Sequence, residues 1–307
     1  MTAGTTGTGM TGGGMADDGA TEGGVTEGGV SVDVDGADGR RHPWTRFVAI
    51  GDSFTEGIGD PDETVPGGHR GWADRAAEEL GRDVDGFSYA NLAIRGRLYR
   101  QIIDEQLEPA LALAPDLVSF MAGGNDVLRL GDPDEIAAQV DEAVGRLADT
   151  GATVVLFTAP DVGSTPVFSL IRGREAIFNE NMRAIAVRHG AAVVDMWSLR
   201  SLTREGMYAA DRLHFSPLGH QTIAAEFLDT LGVEHSIVPA DAGEPPQRTW
   251  RAARQTDLQW ARMHLAPWVM RRLRHQSSGD DLAPKRPEAS PVFGMPMPPG
   301  SAAPEHE

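Results

Sequence analysis

Four short polar segments of the sequence contain side chains that together can perform acyl transfer. They are Gly51-Asp52-Ser53, the glycine at position 96, Gly123-Gly124-Asn125-Asp126 and Asp211-Arg212-Leu213-His214. A serine hydroxyl is a weak nucleophile that needs a base beside it, and histidine suits that role because its pKa lies near neutrality. A carboxylate can fix the tautomer of the histidine, and glycine N–H groups and an asparagine amide can donate hydrogen bonds to an oxyanion.

The four segments follow predicted β-strands. Runs rich in valine, isoleucine and phenylalanine predict strands at 46–50, 87–92, 116–121, 153–158 and 192–196. Amphipathic segments predict helices at 72–80, 97–113, 133–149, 174–188 and 217–231. This alternation indicates an α/β fold with a doubly wound parallel sheet of about five strands. Because ligand sites in such sheets form at the carboxyl ends of the strands, the four segments can converge.

The four segments resemble the sequence blocks of the SGNH hydrolases, also called the GDSL family, and they stand in the order of that family. The resemblance extends from about Phe47 to Leu231. It implies a three-layer, flavodoxin-like α/β fold. It also implies an esterase that cleaves acyl or acetyl esters of carboxylic acids through a covalent acyl-enzyme. Phe54 stands where the family motif has leucine, at a position expected to pack rather than react.

The same resemblance implies a role for each site residue. Ser53 would be the nucleophile, His214 its base and Asp211 the acid that orients the base. The oxyanion hole would consist of the N–H groups of Ser53 and Gly96 and the side-chain amide of Asn125. Asp52 is expected to anchor the turn rather than to act as the catalytic acid. No cofactor and no metal are expected.

Other interpretations of these residues remain open. An acyltransferase or a thioesterase would use the same triad, and a non-catalytic binding protein could keep the fold. Taken singly, a serine at a strand-to-helix junction is most often a helix cap, and an asparagine often holds a turn. A metallophosphoesterase would need metal ligands, but His214 and His220 are not spaced as such ligands would be.

The composition excludes several classes of function. The chain has 307 residues, no cysteine and a formal net charge of −18. An acidic surface repels nucleic acid, and the absence of cysteine excludes a thiolate nucleophile and disulfides. We see neither a secretory signal nor an apolar run long enough to span a membrane. We therefore expect a cytoplasmic protein that acts on a small-molecule or lipid ester.

Composition also divides the chain into four parts. We predict disorder for two tails, a Gly/Thr-rich one at 1–42 and a Pro-rich one at 276–307. Between them we predict a hydrolase domain at 43–235 and a Trp/Arg-rich helical extension at 246–275. Within the extension, the segment 248–274 has tryptophans and arginines at helical spacing. We favour packing of its tryptophans on the core over peripheral contact with a membrane.

Two features bear on the substrate. Arg95 and Arg97 flank Gly96, where they can meet an anionic group of the substrate or, as we prefer, pair with acidic side chains of the protein. The segment 161–172 contains Pro166, Phe168, Leu170 and Ile171 and can line an acyl pocket. Acyl chain length and the alcohol moiety do not follow from the sequence.

Overall fold

A six-stranded β-sheet forms the centre of the protein. The computed structural model describes residues 41–82, 84–164, 168–243, 249–267, 270 and 277–292. The strands are β1 Arg46–Ile50, β2 Ser88–Asn91, β3 Leu117–Phe120, β4 Thr153–Phe157, β5 Ala192–Val194 and β6 Arg286–Pro291. Their order across the sheet is β5-β4-β3-β1-β2-β6. The first five run parallel to one another, and β6 pairs antiparallel with β2.

Helices cover both faces of this sheet. They are α1 Ser53–Glu56, α2 Gly71–Gly81, α3 Tyr99–Ile102, α4 Glu108–Ala112, α5 Gly124–Leu128, α6 Pro133–Ala148, α7 Arg172–His189, α8 Pro217–Thr230 and α9 Trp250–Trp260. A π-helical turn at Ile103–Leu107 joins α3 to α4. Helix α2 packs against α8, and α6 packs against α7. With the strand order of the parallel part, this confirms the predicted doubly wound, flavodoxin-like α/β fold.

The sheet is apolar because helices bury both of its faces. Phe47, Val48, Ala49 and Ile50 of β1 have no exposed surface. An aromatic cluster lies beside them, in which the Trp72 ring is 4.8 Å from Phe157 and 5.1 Å from Phe227. Strands buried on both faces are expected to be continuously apolar, which is the pattern that predicted them. The core therefore holds β1 and β3 rigidly, and with them the strand ends that carry the polar segments.

Two of the helices begin at a side-chain cap. The Asp132 side chain accepts a hydrogen bond from the backbone N–H of Asp134, at 2.9 Å, at the start of α6. The Ser216 hydroxyl accepts one from the N–H of Gly219, at 3.3 Å, at the start of α8. Each cap satisfies an N–H group that has no partner within the helix. The cap at Ser216 fixes the chain two residues after His214.

The sixth strand corrects the prediction of about five strands, and it lies within the segment 276–307 for which disorder was predicted. Prolines at 287 and 291 obscured it, because proline weakens a strand signal. An edge strand tolerates proline, since half of its N–H groups need no ladder partner. Most of the predicted N-terminal tail, residues 1–40, and residues 293–307 lie outside the described residues.

None of the described helices combines the length and the apolar character that a membrane crossing requires.

Candidate active site

Ser53 lies at the junction between β1 and α1, where it is the first residue of the helix. The cap of this helix is Asp52, whose Oδ1 accepts a hydrogen bond from the N–H of Phe54 at 3.0 Å. Ser53 is therefore not the cap that a lone serine at this junction would suggest. Its hydroxyl is free to point away from the helix, while its own N–H remains at a helix N-terminus, where negative charge is stabilised.

Gln106 fixes the backbone just before the serine. Its side-chain Oε1 accepts a hydrogen bond from the N–H of Gly51 at 2.8 Å, and its Nε2 donates to the Gly51 carbonyl at 2.9 Å. The amide thus pairs with Gly51 as a neighbouring strand would. Gln106 is buried and lies in the π-helical turn, a feature often found at functional sites. The sequence prediction missed it, because a lone glutamine in a helix carries no signal of such a contact.

His214 lies between Ser53 and Asp211. Its Nε2 is 3.0 Å from the Ser53 hydroxyl, and its Nδ1 is 2.6 Å from Oδ2 of Asp211. Because an ionised carboxylate only accepts hydrogen bonds, Nδ1 carries the proton and Nε2 is left as the acceptor. The three side chains thus form one hydrogen-bonded series that can move a proton from the serine to the imidazole.

Asp211 is held as a carboxylate. Burial opposes its ionisation, but hydrogen bonds from the His214 ring and from the N–H groups of Leu213 and His214 outweigh it and lower the pKa to about 2. The two N–H groups reach Oδ1 at 3.0 Å each. One carboxylate oxygen therefore shapes the turn and the other orients the imidazole. The Asp211 carboxylate is therefore charged at neutral pH beside the imidazole.

A close backbone approach brings the histidine to the serine. A Cβ atom on Gly59 would lie only 2.0 Å from the carbonyl oxygen of Phe215. Gly59 has φ +102°, a backbone conformation that residues with a side chain rarely adopt. The loop after α1 therefore packs directly on the loop after His214. This contact explains how residues far apart in the sequence meet.

Asn125 and Gly96 lie beside Ser53 at the predicted edge of the sheet. The Asn125 amide donates to Oδ2 of Asp52 at 2.9 Å and to the carbonyl of Arg97 at 3.0 Å. Gly96 has φ +76°. Both residues line the same cleft as the serine. Asp52 thus caps α1 and positions Asn125, which agrees with the expected anchoring role. Burial raises its pKa to about 6, although the N–H of Phe54 and the nearby His214 oppose this.

Two cavities meet at Ser53 and His214. We call the first the outer cleft, with a volume of about 380 Å³, and the second the inner pocket, of about 130 Å³. The outer cleft is lined by Ser53, Arg95, Gly96, Asn125, Arg129, Asp211, His214, Trp260, Met263, His264, Ser277 and Ser278, among others. The inner pocket is lined mainly by Phe54, Met121, Leu128, Val162, Phe168, Glu175, Met196, Tyr208 and Phe215. The serine therefore has separate space on either side for the two parts of a substrate.

The segment 161–172 contributes to these cavities only in part. Val162 and Phe168 line the inner pocket. Leu170 is 86% exposed, and Ile171 is buried in the main core. Pro166 lies outside the described residues. Two residues of this segment thus occupy the expected place, and two others do not.

The C-terminal extension, a name that we use from here on for the described residues 249–267, 270 and 277–292, forms one wall of the outer cleft. The indole N–H of Trp260 donates to the backbone carbonyl of Asp211 at 2.8 Å, and Arg212 lies over the same ring. A Cβ atom on Gly96 would lie 2.2 Å from the Ser277 hydroxyl. Trp250, in contrast, is 69% exposed. The extension therefore contacts both the turn of Asp211 and the loop of Gly96.

The two arginines that flank Gly96 are engaged in ion pairs. Arg95 pairs with Glu56, and its Nε lies 2.9 Å from Oε1 of that carboxylate. Arg97 lies 2.7 Å from Glu105 and 3.5 Å from Asp280 of the C-terminal extension. Both arginines therefore pair with acidic side chains, as we preferred from the sequence.

His220 lies in the protein core, where its ring contacts backbone groups. It is fully buried, its Nδ1 accepts from the N–H of Trp72 at 3.2 Å, and its Nε2 lies 3.1 Å from the Ile58 carbonyl. Burial lowers its pKa to about 4, so the ring is neutral near pH 7. Within the described ranges, no cluster of three or more His, Asp or Glu side chains has the arrangement of a metal site.

Taken together, a flavodoxin-like sheet with a Ser-His-Asp series at its carboxyl edge is typical of the SGNH class of hydrolases. The sequence matches the GDSL-like Lipase/Acylhydrolase family over residues 49–222, which is more than half of the chain. The chain belongs to this family, and hence to a class of ester hydrolases. This confirms the family predicted from the four sequence blocks.

Similar proteins agree with this fold. LAE5, an alpha/beta hydrolase enzyme from the metagenome of Lake Arreo, Spain, is 26% identical with a TM-score of 0.54, over 64% of this chain and 100% of its own. Axe2, an acetylxylan esterase from Geobacillus stearothermophilus, is 23% identical with a TM-score of 0.51, over 62% and 95%. The uncharacterised protein YpmR of Bacillus subtilis is 32% identical over 90 residues. That match covers 27% of this chain, and the chain spans about a third of the length of YpmR.

Proposed function

We propose that the protein is a serine hydrolase that cleaves carboxylic esters through a covalent acyl-enzyme. The observation that carries this proposal is the hydrogen-bonded series in which His214 lies 3.0 Å from Ser53 and 2.6 Å from Asp211. An accepting Nε2 beside the hydroxyl, with a carboxylate behind the ring, is what activation of a serine requires.

The reaction then has two halves. The Ser53 hydroxyl oxygen attacks the ester carbonyl while its proton passes to Nε2 of His214. The imidazolium returns this proton to the departing alcohol oxygen, which leaves an acyl group on Ser53. Water, deprotonated by His214, attacks the acyl carbonyl, and the serine recovers its proton as the carboxylic acid is released. Asp211 remains ionised throughout and stabilises the imidazolium.

The negative charge of each tetrahedral intermediate is stabilised by hydrogen-bond donors that surround the oxyanion. We assign this task to the N–H groups of Ser53 and Gly96 and to the Asn125 amide, which line one cleft. In the structure the two N–H groups of that amide donate to Asp52 at 2.9 Å and to the Arg97 carbonyl at 3.0 Å. One of these hydrogen bonds is exchanged for the oxyanion when the intermediate forms, while the other keeps the amide oriented. One such donor contributes about 2.7–4 kcal/mol to stabilisation of the transition state.

The two cavities suggest how an ester lies across the serine. The inner pocket is small and mainly apolar, which suits the acyl group, while the larger outer cleft is more polar and suits the alcohol. A small-molecule or lipid ester fits this division. Transfer of the acyl group to an alcohol, or cleavage of a thioester, would use the same triad, and product analysis with added alcohols or thioesters separates these reactions from ester hydrolysis.

Labelling and turnover test the proposal together. The wild-type chain should react with a fluorophosphonate probe at Ser53 and should hydrolyse short p-nitrophenyl esters. In Ser53→Ala we expect loss of labelling and a fall in kcat of at least about 10⁴-fold. Ser198→Ala is a matched control, because that hydroxyl lies on the surface and donates to the Asp195 carbonyl. Unchanged turnover in Ser53→Ala would refute the mechanism.

A further inference from the structure

One carboxyl group in the inner pocket has no role in the mechanism above. Glu175 lies in the first turn of α7 and lines the pocket among apolar side chains such as Phe54, Met121 and Met196. Only 7% of its surface is exposed. Its Oε2 is buried and has no hydrogen-bond partner within the described part of the chain. Buried polar atoms without a partner are rare in native proteins, so this one calls for an explanation.

The charged neighbours of Glu175 do not provide a partner. Arg172, one helical turn earlier, is bound to Asp161 at 2.6 Å and lies over the Trp197 ring. Asp161 is itself shared between Arg172 and Arg200, so its charge is already balanced. The carboxyl of Glu175 therefore remains available to a group that enters the pocket.

Glu175 is uncharged near neutral pH. Burial raises its pKa to about 8, the charge of Asp161 adds to this effect, and Arg172 opposes it. The protonated carboxyl has one O–H donor and retains acceptor capacity. Tyr208 lines the same pocket, and burial with the charge of Glu175 raises the pKa of its hydroxyl. The pocket wall is thus mainly apolar around Glu175 and Tyr208, although Asp52, Arg212 and His214 also line the pocket.

We infer that the inner pocket selects an acyl group that carries a hydroxyl, and that Glu175 is the residue that binds this hydroxyl. This inference rests on the proposed ester hydrolysis. The pocket volume of about 130 Å³ is close to that of a cavity of about 150 Å³ that holds benzene. An acyl chain of about six carbons therefore fits. A hydroxyl both donates and accepts, as the neutral carboxyl does, whereas a cation would lose its hydration among apolar walls.

Matched esters test this assignment. We would measure kcat/KM for methyl hexanoate, methyl 3-hydroxyhexanoate and methyl 6-hydroxyhexanoate by chromatography of the released acids. The wild-type enzyme should prefer at least one hydroxy ester over hexanoate by about 3- to 10-fold, the effect of one hydrogen bond. Glu175→Gln keeps a donor and an acceptor and should keep the preference. Glu175→Met should lose or invert it while retaining hydrolysis of hexanoate.

Glu180→Gln on the same helix is the matched control, since this carboxylate is exposed and pairs with Arg183. It should leave every ratio unchanged. Glu175→Gln is nearly isosteric with the wild type. It therefore tests the site even if Glu175→Met fails to fold. Retained hydrolysis of hexanoate by Glu175→Gln shows that the pocket has survived.

The pH dependence of the preference adds a second readout. Glu175 is neutral below about pH 8 and ionised above it. A buried carboxylate needs a donor, which a hydroxyl supplies and a plain chain does not. The hydroxy/plain ratio should therefore rise through pH 8 in the wild type and stay flat in Glu175→Gln. The groups facing Glu175 are Asp161, Arg172 and Tyr208, and Asp52, Arg212 and His214 also line the pocket. All of these remain in the glutamine variant, so the comparison isolates Glu175.

Three results would overturn the inference without touching the proposed hydrolysis. Equal kcat/KM for plain and hydroxy esters would refute it and leave the proposed hydrolysis intact. A larger preference for methyl 6-aminohexanoate than for either hydroxy ester would show that the pocket recognises a cation and not a hydroxyl. A hydroxyl preference that persists in Glu175→Met would assign recognition to another residue. Absence of hydrolysis for every ester would instead refute the proposed function, and this inference with it.

Discussion

The catalytic core and the C-terminal extension meet at one active site but are attached to it in different ways. In the core, the Ser53 and His214 loops follow strands and helices that the buried sheet holds in place. The extension is attached by separate contacts: Trp260 with the Asp211 carbonyl, Lys285 with Asp74, and β6 with the edge strand β2. Loss of a core contact should therefore abolish most of the chemistry, whereas loss of an extension contact should change the wall of the cleft or the stability and lower the rate only modestly.

The comparison with similar proteins points the same way. The family match ends at residue 222, and LAE5 aligns over its whole length with only 64% of this chain. The extension lies beyond the matched family region, yet it contributes Trp260, His264 and Ser277 to the outer cleft. The described part of the extension thus adds side chains to the outer cleft that lie outside the matched family region.

The strongest test of this division is Asp211→Asn in the core. An amide in place of the carboxylate has no charge to stabilise the imidazolium and can turn its NH₂ group towards Nδ1, which favours the wrong tautomer of His214, so we expect kcat to fall by about 10⁴-fold. Stopped assays with p-nitrophenyl esters measure this loss. Asp257→Asn is the control from the extension, because its carboxylate is exposed and pairs with Arg212. Comparable losses in both variants would contradict the division.

Removal of the buried lysine of the extension should have the next largest effect, on stability rather than chemistry. Lys285 lies 2.9 Å from Asp74, and both side chains are almost completely buried. Its Nζ also donates to the carbonyls of His69 and Arg70. Lys285→Met leaves a buried carboxylate without its cation, so we expect the free energy of unfolding to fall by about 3–5 kcal/mol. Urea unfolding measures this change.

Two further variants, a control and a double substitution, show whether the lost stability comes from the unpaired buried charge. Arg204→Met breaks an exposed pair with Asp241 and should leave the unfolding curve almost unchanged. The double variant Lys285→Met/Asp74→Leu replaces both charges by apolar groups and should recover most of the lost stability. If the single lysine variant unfolded like the wild type, β6 would not be anchored as described.

The parts of the site that the sequence predicted share a simple property. Ser53, Asn125 and His214 each lie in a short motif next to an apolar strand or a capped helix, so local patterns place them at one edge of the sheet. Parallel sheets bring such edges together regardless of the distance along the chain. This is why residues separated widely in sequence could be assigned to one site before their distances were known.

The parts that escaped prediction depend on contacts with no local signature. Gln106 pairs with Gly51 only because a π-helical turn aims its amide at the strand end. Lys285 is buried only because Asp74 faces it across the fold, and the surrounding prolines suggested disorder. Glu175 appears in sequence as an ordinary first-turn acid of a helix, and its burial follows from tertiary packing.

The smallest expected effect tests whether the extension reaches the catalytic acid at all. Trp260→Phe keeps the aromatic surface beside Arg212 but removes the indole N–H that donates to the Asp211 carbonyl at 2.8 Å. One hydrogen bond of this kind contributes about 0.5–1.5 kcal/mol, so we expect kcat to fall by about 2- to 10-fold. KM for a short ester should stay constant, because the ring surface that lines the cleft is preserved.

This split between kcat and KM distinguishes positioning of Asp211 from simple packing. If Trp260 only shaped the cleft, the phenylalanine variant would keep kcat, and any change would appear in KM. Trp250→Phe provides the matched control on the same helix, because that ring is 69% exposed and should tolerate the change. A kcat equal to that of the wild type in Trp260→Phe would show that the extension forms a wall of the cleft without influencing the acid, and would confine its role to access.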